Sequence, residues 1–383
     1  TVADLVAAGV APAVDGVYAD AEPGVLAVVL THAHADHTGL GRYIHPDIPI
    51  YATQGTWALL GVSAVFQRDA PLPANRATLP TDRPLQLGPF TITALPVDHA
   101  APDSVALLVE AEGRRVLYTG DLRAHGRTCY RFEQMVAHPP RDIDLLVIEG
   151  TTLSRPDAAP RNEEELEADF TARFRQQQDM SLVFCTPQNL DRMVTVYKAA
   201  KAAGRLTVID LYAAYTLNQL AGLSKSIPQG TWPGIRVVRW GYQQRQLAAH
   251  GCQAFLEQSM QNQIGYQGLG KRRRDVVMLA MRPGRLGALA EKLGGDCSQM
   301  QAIWSMWRGY LERETVVQSF CERHGLQLEH IHTSGHASWA DLQALANAIR
   351  PGRIAPIHTD HPGRYTAAFP NAMTLADGVS VDV

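Results

Sequence analysis

Short apolar runs alternate with amphipathic segments along the chain, a pattern typical of an α/β protein in which helices separate the strands. Up to residue 155 these runs are rich in Val, Ile and Leu, so strands are predicted to dominate this part. A hairpin turn is expected at Glu112 and Gly113. The predicted strands here are 24–31, 49–53, 90–97, 104–110, 115–119 and 143–148.

Helical patterning becomes prominent after residue 155. Asn162 is expected to cap a helix over 163–178, because acidic residues fill the first turn, where the helix dipole favours them. Strands and helices then alternate, which predicts βαβ units in a parallel sheet. The predicted strands are 182–186, 206–210, 275–280 and 303–305, and the predicted helices are 189–203, 211–223, 285–293 and 311–324.

The end of the chain again has mostly predicted strands, as its beginning does. Strands are predicted at 327–332, 353–357 and 380–383, with a helix at 339–349. The length, 383 residues, is more than one average domain needs, which favours two domains or a core with an insertion. Either arrangement would divide the chain where the pattern changes. The predicted segments are 1–155, 156–330 and 331–383.

Composition excludes several classes of protein. Apolar residues make up 46% and charged residues 19%, which excludes dominant disorder. No stretch approaches the roughly 20 apolar residues of a membrane-spanning helix, and residues 1–17 lack the basic flank and cleavage site of a signal peptide. We expect a cytoplasmic protein with no membrane partner. The five cysteines include no C-x-x-C pair, so buried thiols are expected instead of disulfides or thiolate zinc ligands.

Charge separates the same segments. Lys and Arg outnumber Asp and Glu by 22 to 17 in residues 151–330, and are outnumbered by 13 to 21 elsewhere. The basic run Lys271-Arg272-Arg273-Arg274 lies inside the basic part. Such a run fits a polyanion, although a solvated surface is its commoner meaning. The sequence leaves both interpretations open.

Four side chains of metal-ligand type follow the first predicted strand, in the order His32, His34, Asp36 and His37. In extended backbone, His32 and His34 point to the same side and can bind one ion. Asp36 and His37, where the strand turns into a helix, can reach a second ion. The alternative is a cluster of polar residues at a strand end that binds no metal. H-x-H-x-D-H is, however, a far more specific sign of a metal site than an isolated H-x-H.

Two further residues lie where additional ligands are needed. His99 follows the predicted strand 90–97, and Asp121 follows the strand 115–119. A carboxylate there can bridge two cations at the roughly 3.5–4 Å separation that suits attack at phosphorus. Either residue alone would more often be a cap, a turn residue or a core histidine. The motif upstream makes the ligand interpretation the better one.

On these residues the sequence resembles the metallo-β-lactamase fold, and specifically the β-CASP metallo-nucleases that include ribonuclease J and the cleavage factor of mRNA 3′ ends. Glu149 matches the acidic motif A of that family, His336 matches motif B, and His358, 22 residues later, matches motif C. The resemblance implies an αββα sandwich with an inserted α/β β-CASP domain. The inserted domain is matched by its position and its α/β pattern.

The resemblance also implies the ligand sets of two divalent metal ions. One ion would take His32, His34, His99 and Asp121, and the other would take Asp36, His37, His358 and the shared Asp121. Zinc is the first choice from ligand type, and manganese is its competitor, because histidine and carboxylate ligands suit both.

A phosphodiester hydrolase follows from these ligand sets. Two cations flanking one water would lower its pKa towards neutrality and supply hydroxide for in-line attack, with Asp36 among the catalytic ligands. His336 is the candidate general acid, because imidazole titrates near neutral pH, and Glu149 would orient it. A histidine at motif C, His358, resembles the RNA-processing members, so single-stranded RNA is the expected substrate and DNA the alternative.

Several residues are candidates for contacting the substrate. Gly335 allows close backbone approach, and the hydroxyls of Ser334 and Ser338 could hold a phosphate. Tyr212 and Tyr215 are interpreted as packing residues. Basic side chains that could line a strand-binding cleft, or be merely solubilising, are Arg123, Arg127, Arg131, Arg192 and Lys198.

Other functions remain open at this stage. A hydrolase of small esters, lactams or thioesters is the enzymatic alternative, and an inactive nucleic-acid-binding subunit is the non-enzymatic one. Exonucleolytic and endonucleolytic action are not distinguished. Only 31 residues precede His32, fewer than the resemblance implies, and the sequence leaves open whether its start is trimmed. A monomer and a small oligomer are both compatible with the sequence.

Overall fold

A computed structural model describes residues 1–67, 72–155, 159–376 and 379–383. The domain boundary predicted after residue 155 meets residues 156–158, which lie outside the described residues. The chain divides into two compact units. The first unit comprises 1–64, 68–160 and 335–383, and the second comprises 65–67 and 161–334.

The strands and helices follow the chain in this order. The strands are β1 Val28–Val29, β2 Ile50–Ala52, β3 Arg76–Thr78, β4 Leu85–Leu87, β5 Phe90–Pro96, β6 Val105–Ala111, β7 Arg114–Tyr118, β8 Leu145–Glu149, β9 Ser181–Phe184, β10 Leu206–Asp210, β11 Ile235–Val238, β12 Gln263–Ile264, β13 Val276–Leu279, β14 Gln301–Trp304, β15 Leu328–His330 and β16 Arg353–Ile357. The helices are α1 Val2–Ala7, α2 Ala35–Thr38, α3 Gln54–Phe66, α4 Tyr130–Ala137, α5 Glu163–Gln176, α6 Leu190–Ala202, α7 Leu211–Gln219, α8 Gly241–Ala249, α9 Gln253–Gln258, α10 Tyr266–Lys271, α11 Leu286–Lys292, α12 Arg308–Leu311, α13 Thr315–His324, α14 Trp339–Ile349 and α15 Gly363–Ala368.

Two sheets build the first unit. One has the parallel order β1-β2-β3, and the other has the order β16-β8-β7-β6-β5-β4. Strands β16, β8 and β7 are parallel, and the strands from β7 to β4 are antiparallel. The hairpin between β6 and β7 turns at Glu112 and Gly113, both at positive φ, as a tight turn of this kind requires. The predicted αββα sandwich is confirmed as the fold class.

Apolar side chains from the larger sheet and from α4 and α14 form the main core of the first unit. Leu117, Leu146 and Ile148 are fully buried in it beside Leu342 and Leu345 of α14. The strands thus bury their apolar face and end in the turns that follow them. Those turns carry the polar residues of the predicted motifs, so packing fixes the positions from which the motifs project.

The second unit contains one parallel sheet in the order β12-β11-β10-β13-β9-β14-β15. Its strands β9 and β13 are buried at every position, as expected of a parallel sheet covered on both faces. Helix α5 begins with the predicted Asn162 cap, which forms a capping box with Glu165. The predicted βαβ patterning of this part is therefore confirmed.

Some local predictions are wrong. Residues 380–383 form no strand in the described structure, because they are largely exposed and find no partner strand; the Asp382 carbonyl instead accepts a bond from Arg353. The first strand is shorter than predicted, Val28–Val29, because only these two residues pair with β2. Predicted helix 311–324 is two helices, α12 and α13.

Two expectations from composition can be compared with the structure. All five cysteines lie outside disulfide bonds, and Cys185, Cys297 and Cys321 are buried, whereas Cys129 and Cys252 are half-buried. Across the described residues, the helices are all too short or too polar to cross a membrane.

A buried ion pair ties helices α5 and α6 of the second unit together. Arg192 and Glu163 are both fully buried, with Arg192 Nη2 3.1 Å from Glu163 Oε1. The guanidinium also donates to the Ser305 carbonyl at 3.1 Å, beyond the end of β14. Arg192, considered from sequence as a cleft residue, therefore has a structural role.

Arg192→Ala should lower the free energy of unfolding by about 3–5 kcal/mol, because Glu163 would stay buried without its guanidinium partner. Urea unfolding followed by circular dichroism measures this change. Arg161→Ala is the matched control, since Arg161 pairs with Asp169 at a half-exposed site and should cost less than about 1 kcal/mol. Equal losses in the two variants would contradict the structural role of Arg192.

Candidate metal centre

The H-x-H-x-D-H segment of the first unit lies where β1 passes into α2. His32 is fully buried, His34 is the N-cap residue of the short helix, and Asp36 and His37 lie in its first turns. The extended backbone before the helix and the helical backbone after it direct the two pairs differently. This local change of conformation lets one short segment direct ligand side chains towards two neighbouring ion positions.

Strands β5 and β7 deliver the next two residues. His99 and Asp121 follow these strands, and both are buried. Gly120 makes the turn before Asp121 at φ +54°, and a Cβ on it would lie 3.0 Å from Oγ1 of Thr31. Glycine is therefore required there on two grounds, since other residues would be strained at this φ and would also crowd Thr31.

Strands β8 and β16 deliver the residues of motifs A and C. Glu149 is the last residue of β8 and is fully buried. His358 follows β16, the parallel neighbour of β8, and has a positive φ of 52°. A non-glycine residue in this left-handed region is held there by its surroundings, and such residues cluster at functional sites.

The predicted ligand atoms lie close together around Asp121. Oδ2 of Asp121 is 3.5 Å from Nε2 of His32, 3.3 Å from Nε2 of His37 and 3.9 Å from Nε2 of His99. Its Oδ1 lies 3.8 Å from Nδ1 of His358. Three groups, each with ligand atoms within 4.8 Å of one another, are His32, His34, His99 and Asp121; Asp36, His37 and His358; and Asp121, His336 and His358.

The protonation states of the first group suit metal binding. Burial lowers the pKa of His32 to about 3 and holds the pKa of His99 well below its ordinary value. Burial also lowers the pKa of His34. Neutral imidazole is the form that binds a metal ion. Although burial favours a higher pKa for Asp121, the surrounding histidines hold it below the ordinary range.

Asp36 and His358 are already paired with each other. His358 Nε2 lies 3.3 Å from Asp36 Oδ2, a hydrogen bond that raises the pKa of His358 to about 9. The same bond lowers the pKa of Asp36. These two side chains are more exposed than those of the first group.

Buried polar atoms without partners indicate what the cluster lacks. Among the described residues, Nε2 of His32, Nε2 of His37 and both carboxylate oxygens of Asp121 are buried and accept or donate no hydrogen bond. Leaving such atoms unsatisfied is costly unless a cation binds them. Imidazole nitrogens and carboxylate oxygens are also the donors that zinc uses. The residues therefore fit a divalent metal site.

His336 lies beside this cluster and is bonded to Glu149. Its Nδ1 is 3.1 Å from Glu149 Oε2 and 3.7 Å from Asp121 Oδ2. Glu149 is itself fixed, because its Oε1 accepts from the Leu122 backbone N–H at 2.8 Å. Burial opposes protonation of His336, but the Glu149 carboxylate outweighs it and raises the pKa of the imidazole. The pair is thus a carboxylate-oriented histidine at the edge of the ligand cluster.

Sequence reasoning missed the side chains that hold the ligands in place. Thr31 Oγ1 lies 3.0 Å from Nδ1 of His32, and Thr151 Oγ1 lies 2.7 Å from Nδ1 of His358. The Gly335 carbonyl lies 2.7 Å from Nδ1 of His99. Each contact leaves the ring's other nitrogen facing the cluster, the usual way in which a ligating histidine is oriented.

Asp98 was also missed. Its fully buried carboxylate accepts from the Gly126 N–H at 2.7 Å and from the Thr128 hydroxyl at 2.8 Å. It also pairs with Arg123, whose Nε is 3.6 Å away and whose side chain is fully buried. Asp98 therefore joins the loop of His99 to the loop after Asp121. The only signal in the sequence was a polar residue next to a predicted ligand.

The predicted substrate contacts have mixed surroundings. Ser338 caps α14, with its hydroxyl 2.6 Å from Asp341 Oδ2. Gly335 approaches the His99 loop closely, since a Cβ on it would lie 3.2 Å from Cβ of Ala100. Ser334 is the half-buried last residue of the second unit.

The candidate cleft residues divide by burial. Arg123 and Arg192 are buried in ion pairs, so the cleft role is wrong for both. Arg127 and Arg131 are half-buried, and Lys198 is exposed and 4.0 Å from Glu167. Tyr212 is buried, in agreement with its interpretation as a packing residue.

Comparison with known proteins identifies the class to which this fold belongs. A Beta-lactamase superfamily domain matches residues 1–206, and a Zn-dependent metallo-hydrolase RNA specificity domain matches residues 325–369. The chain belongs to the β-lactamase superfamily.

Its relatives include ribonuclease J proteins. The chain is 22% identical to Ribonuclease J of Sinorhizobium meliloti over 87% of its length and 25% identical to Ribonuclease J of Mycolicibacterium smegmatis over 93%. It covers 57% and 64% of those proteins, less than two thirds of either. The predicted resemblance to ribonuclease J is confirmed. A protein of unknown function from Enterococcus faecalis shares the fold, with a TM-score of 0.74 and 20% identity over 98% of this chain and 87% of that one.

His358→Ala should reduce bound zinc from about two equivalents to about one, because it removes a ligand from both groups that contain His358 and leaves the group of His32, His34, His99 and Asp121 intact. Mass spectrometry of the purified protein counts the metal. His45→Ala is the matched control, as His45 is bonded to the Asp47 backbone and lies outside the three ligand groups. Unchanged metal content in His358→Ala would remove His358 from the ligands.

Thr31→Val should weaken zinc binding by about 10-fold to 100-fold, because it removes the hydroxyl that orients His32 with little change of shape. Competition with a chromophoric chelator measures the affinity. Thr31→Ser keeps the hydroxyl and should stay close to the wild type. If both variants lost the same affinity, packing around Thr31 would be responsible instead of the hydrogen bond.

Proposed function

We propose that this chain is a metal-dependent hydrolase of phosphodiester bonds in single-stranded RNA. The observation that carries the proposal is Asp121, which lies within 4 Å of ligands from both predicted metal groups and of the His336–Glu149 pair. The match of residues 325–369 to an RNA specificity domain and the ribonuclease J relatives support RNA as the substrate.

Two divalent cations, with zinc favoured and manganese the alternative, would be held by His32, His34, His99 and Asp121 and by Asp36, His37, His358 and Asp121. When bound, such ions activate water and neutralise phosphate charge. The protein holds the ligand rings in fixed orientations through Thr31, Thr151 and the Gly335 carbonyl. Little reorganisation is then required during the reaction.

His336 is proposed to protonate the departing oxygen. Glu149 accepts a hydrogen bond from Nδ1, which fixes the tautomer and keeps a proton available on the ring. The buried Glu149 carboxylate in turn receives the Leu122 N–H, so the pair cannot rotate freely. The proposed roles are general acid for His336 and positioning residue for Glu149.

We also propose that Ser334, Gly335 and Ser338 contact the substrate. The Ser338 hydroxyl is engaged in capping α14, so its backbone is the better candidate for a phosphate contact. We also propose a cytoplasmic location, because five cysteines outside disulfide bonds suit a reducing compartment. Both exonucleolytic and endonucleolytic action remain compatible with the cluster.

Hydrolysis of 5′-monophosphorylated and 5′-hydroxyl single-stranded RNA, beside DNA of the same sequence, tests the substrate. The reactions contain zinc or manganese, and the products are separated by length. Mononucleotides would indicate an exonuclease, and internal fragments an endonuclease. Cleavage of DNA alone, or of small esters alone, would contradict the proposal.

His336→Ala should slow RNA hydrolysis by about 10²-fold to 10⁴-fold, the usual contribution of a general acid, while metal content stays unchanged. Single-turnover kinetics and metal analysis are measured on the same preparation. His45→Ala should retain the wild-type rate. Loss of metal together with activity would show that His336 is a ligand and would contradict the acid role.

A further inference from the structure

Two arginines follow β13 in the second unit, and each lies over aromatic rings. The guanidinium of Arg282 is 5.1 Å from the ring centre of Tyr212. That of Arg285 is 4.2 Å from the ring of Tyr242 and 5.6 Å from that of Trp240. Arg282 also donates to the Tyr242 hydroxyl at 3.0 Å. We refer to Arg282, Arg285, Tyr212, Trp240 and Tyr242 as the arginine–aromatic cluster.

This cluster is built on one edge of the parallel sheet. Strands β11, β10 and β13 are neighbours, and the five residues follow their carboxyl ends. Ligands of α/β proteins bind outside this edge. The chain makes an unusual turn there, since Ala280, directly after β13, has a positive φ of 56°. No part of the metal centre described above uses this location.

The two guanidinium groups are held in place without a carboxylate. Within the described part of the chain, neither Arg282 nor Arg285 forms a salt bridge. Asp210 is the buried acid whose charge interacts with Arg282, but its carboxylate accepts from the Ala213 N–H at 2.8 Å and from Gln243 at 2.6 Å. The arginines therefore keep donors for another anion.

Two further features of this edge favour an anion. Helix α8, nine residues long, begins at Gly241 without a side-chain cap, so its first N–H groups lack the usual acceptor. The buried indole N–H of Trp240 also has no partner among the described residues. The ring faces are covered by guanidinium groups, which argues against base stacking. A phosphate group fits this chemistry better than a nucleobase.

We propose that the arginine–aromatic cluster binds a backbone phosphate of single-stranded RNA, at a position separate from the reacting bond. The inference rests on the proposed RNA substrate. Arginine is suited to the role, since its planar fork can donate two bonds to a phosphate while its face stays on a ring. The aromatic residues thus act by orienting the guanidinium groups.

The number of phosphates in a substrate predicts which RNAs gain from this cluster. A dinucleotide has one phosphodiester, which is the bond that reacts, so it offers no further backbone phosphate to the arginines. An RNA of about ten nucleotides, within the usual range of single-strand sites, offers several.

The double variant Arg282→Ala/Arg285→Ala should raise KM for a ten-nucleotide RNA about tenfold or more, with kcat within about twofold of the wild type. Kinetics with a dinucleotide should be unchanged. Loss of this phosphate contact should also reduce the slope of log affinity against log salt by about 0.7. Fluorescence anisotropy in the presence of a chelator measures this slope independently of hydrolysis.

Three comparisons make the result specific. Arg272→Ala/Arg274→Ala removes the same charge from exposed positions before β13, at the opposite edge, and should leave the affinity close to that of the wild type. Arg282→Lys/Arg285→Lys keeps the charge without the planar fork and should recover only part of the affinity. Inorganic phosphate at millimolar concentration should compete weakly with the RNA. Circular dichroism verifies the fold of each variant.

Equal losses in the two alanine double variants would overturn the site, since charge alone would then explain the effect. A loss that appears with the dinucleotide as well would overturn it too, because the cluster would then act on the reaction itself. If the wild type binds RNA through these arginines but hydrolyses none, the site stands and the proposed function fails. If the wild type hydrolyses RNA and Arg282→Ala/Arg285→Ala binds RNA with unchanged affinity, the proposed function stands and the site fails.

Discussion

The metal centre depends on one buried carboxylate, Asp121. Its exposed fraction is 2%, and five histidines from four separate segments of the chain lie within 4 Å of its oxygens. A carboxylate in such a position is costly unless positive charge compensates it. Burial favours the neutral form of His32 and His99, so these two rings supply little of that charge, and a cation bound by the cluster would compensate the carboxylate. The glycine before Asp121 and the loop tied by Asp98 serve to hold this carboxylate in place.

The sheets of the first unit explain how such distant residues meet. His99 and Asp121 follow β5 and β7, whereas Glu149 and His358 end or follow the parallel pair β8 and β16. Side chains beyond the ends of paired strands are brought together by the backbone ladder itself. The hydrophobic core beneath then fixes the ladder, so a small error in core packing would move several ligands at once. Metal geometry and fold stability are linked by this construction.

In the second unit, the parallel sheet has a closed interior and carries polar side chains at its carboxyl edge. Its interior is closed by burial on both faces and by the Arg192–Glu163 pair, which leaves the carboxyl edge for polar side chains. Arginine is used there in two ways. Arg192 is neutralised inside the unit, whereas Arg282 and Arg285 rest on aromatic rings with donors remaining. The difference is that Arg192 forms a salt bridge with Glu163, whereas neither Arg282 nor Arg285 forms one within the described residues.

The sequence by itself determined the strand and helix pattern, the H-x-H-x-D-H ligands and the candidates at strand ends, because period and motif are local properties. It failed for residues 380–383 and for Arg123, since pairing and burial depend on distant partners. Thr31, Thr151 and Asp98 were likewise invisible, as their hydrogen bonds join segments or depend on side-chain orientation. Only the tertiary structure decided which arginines are buried in ion pairs and which lie on rings, because that choice is made by packing around each guanidinium group.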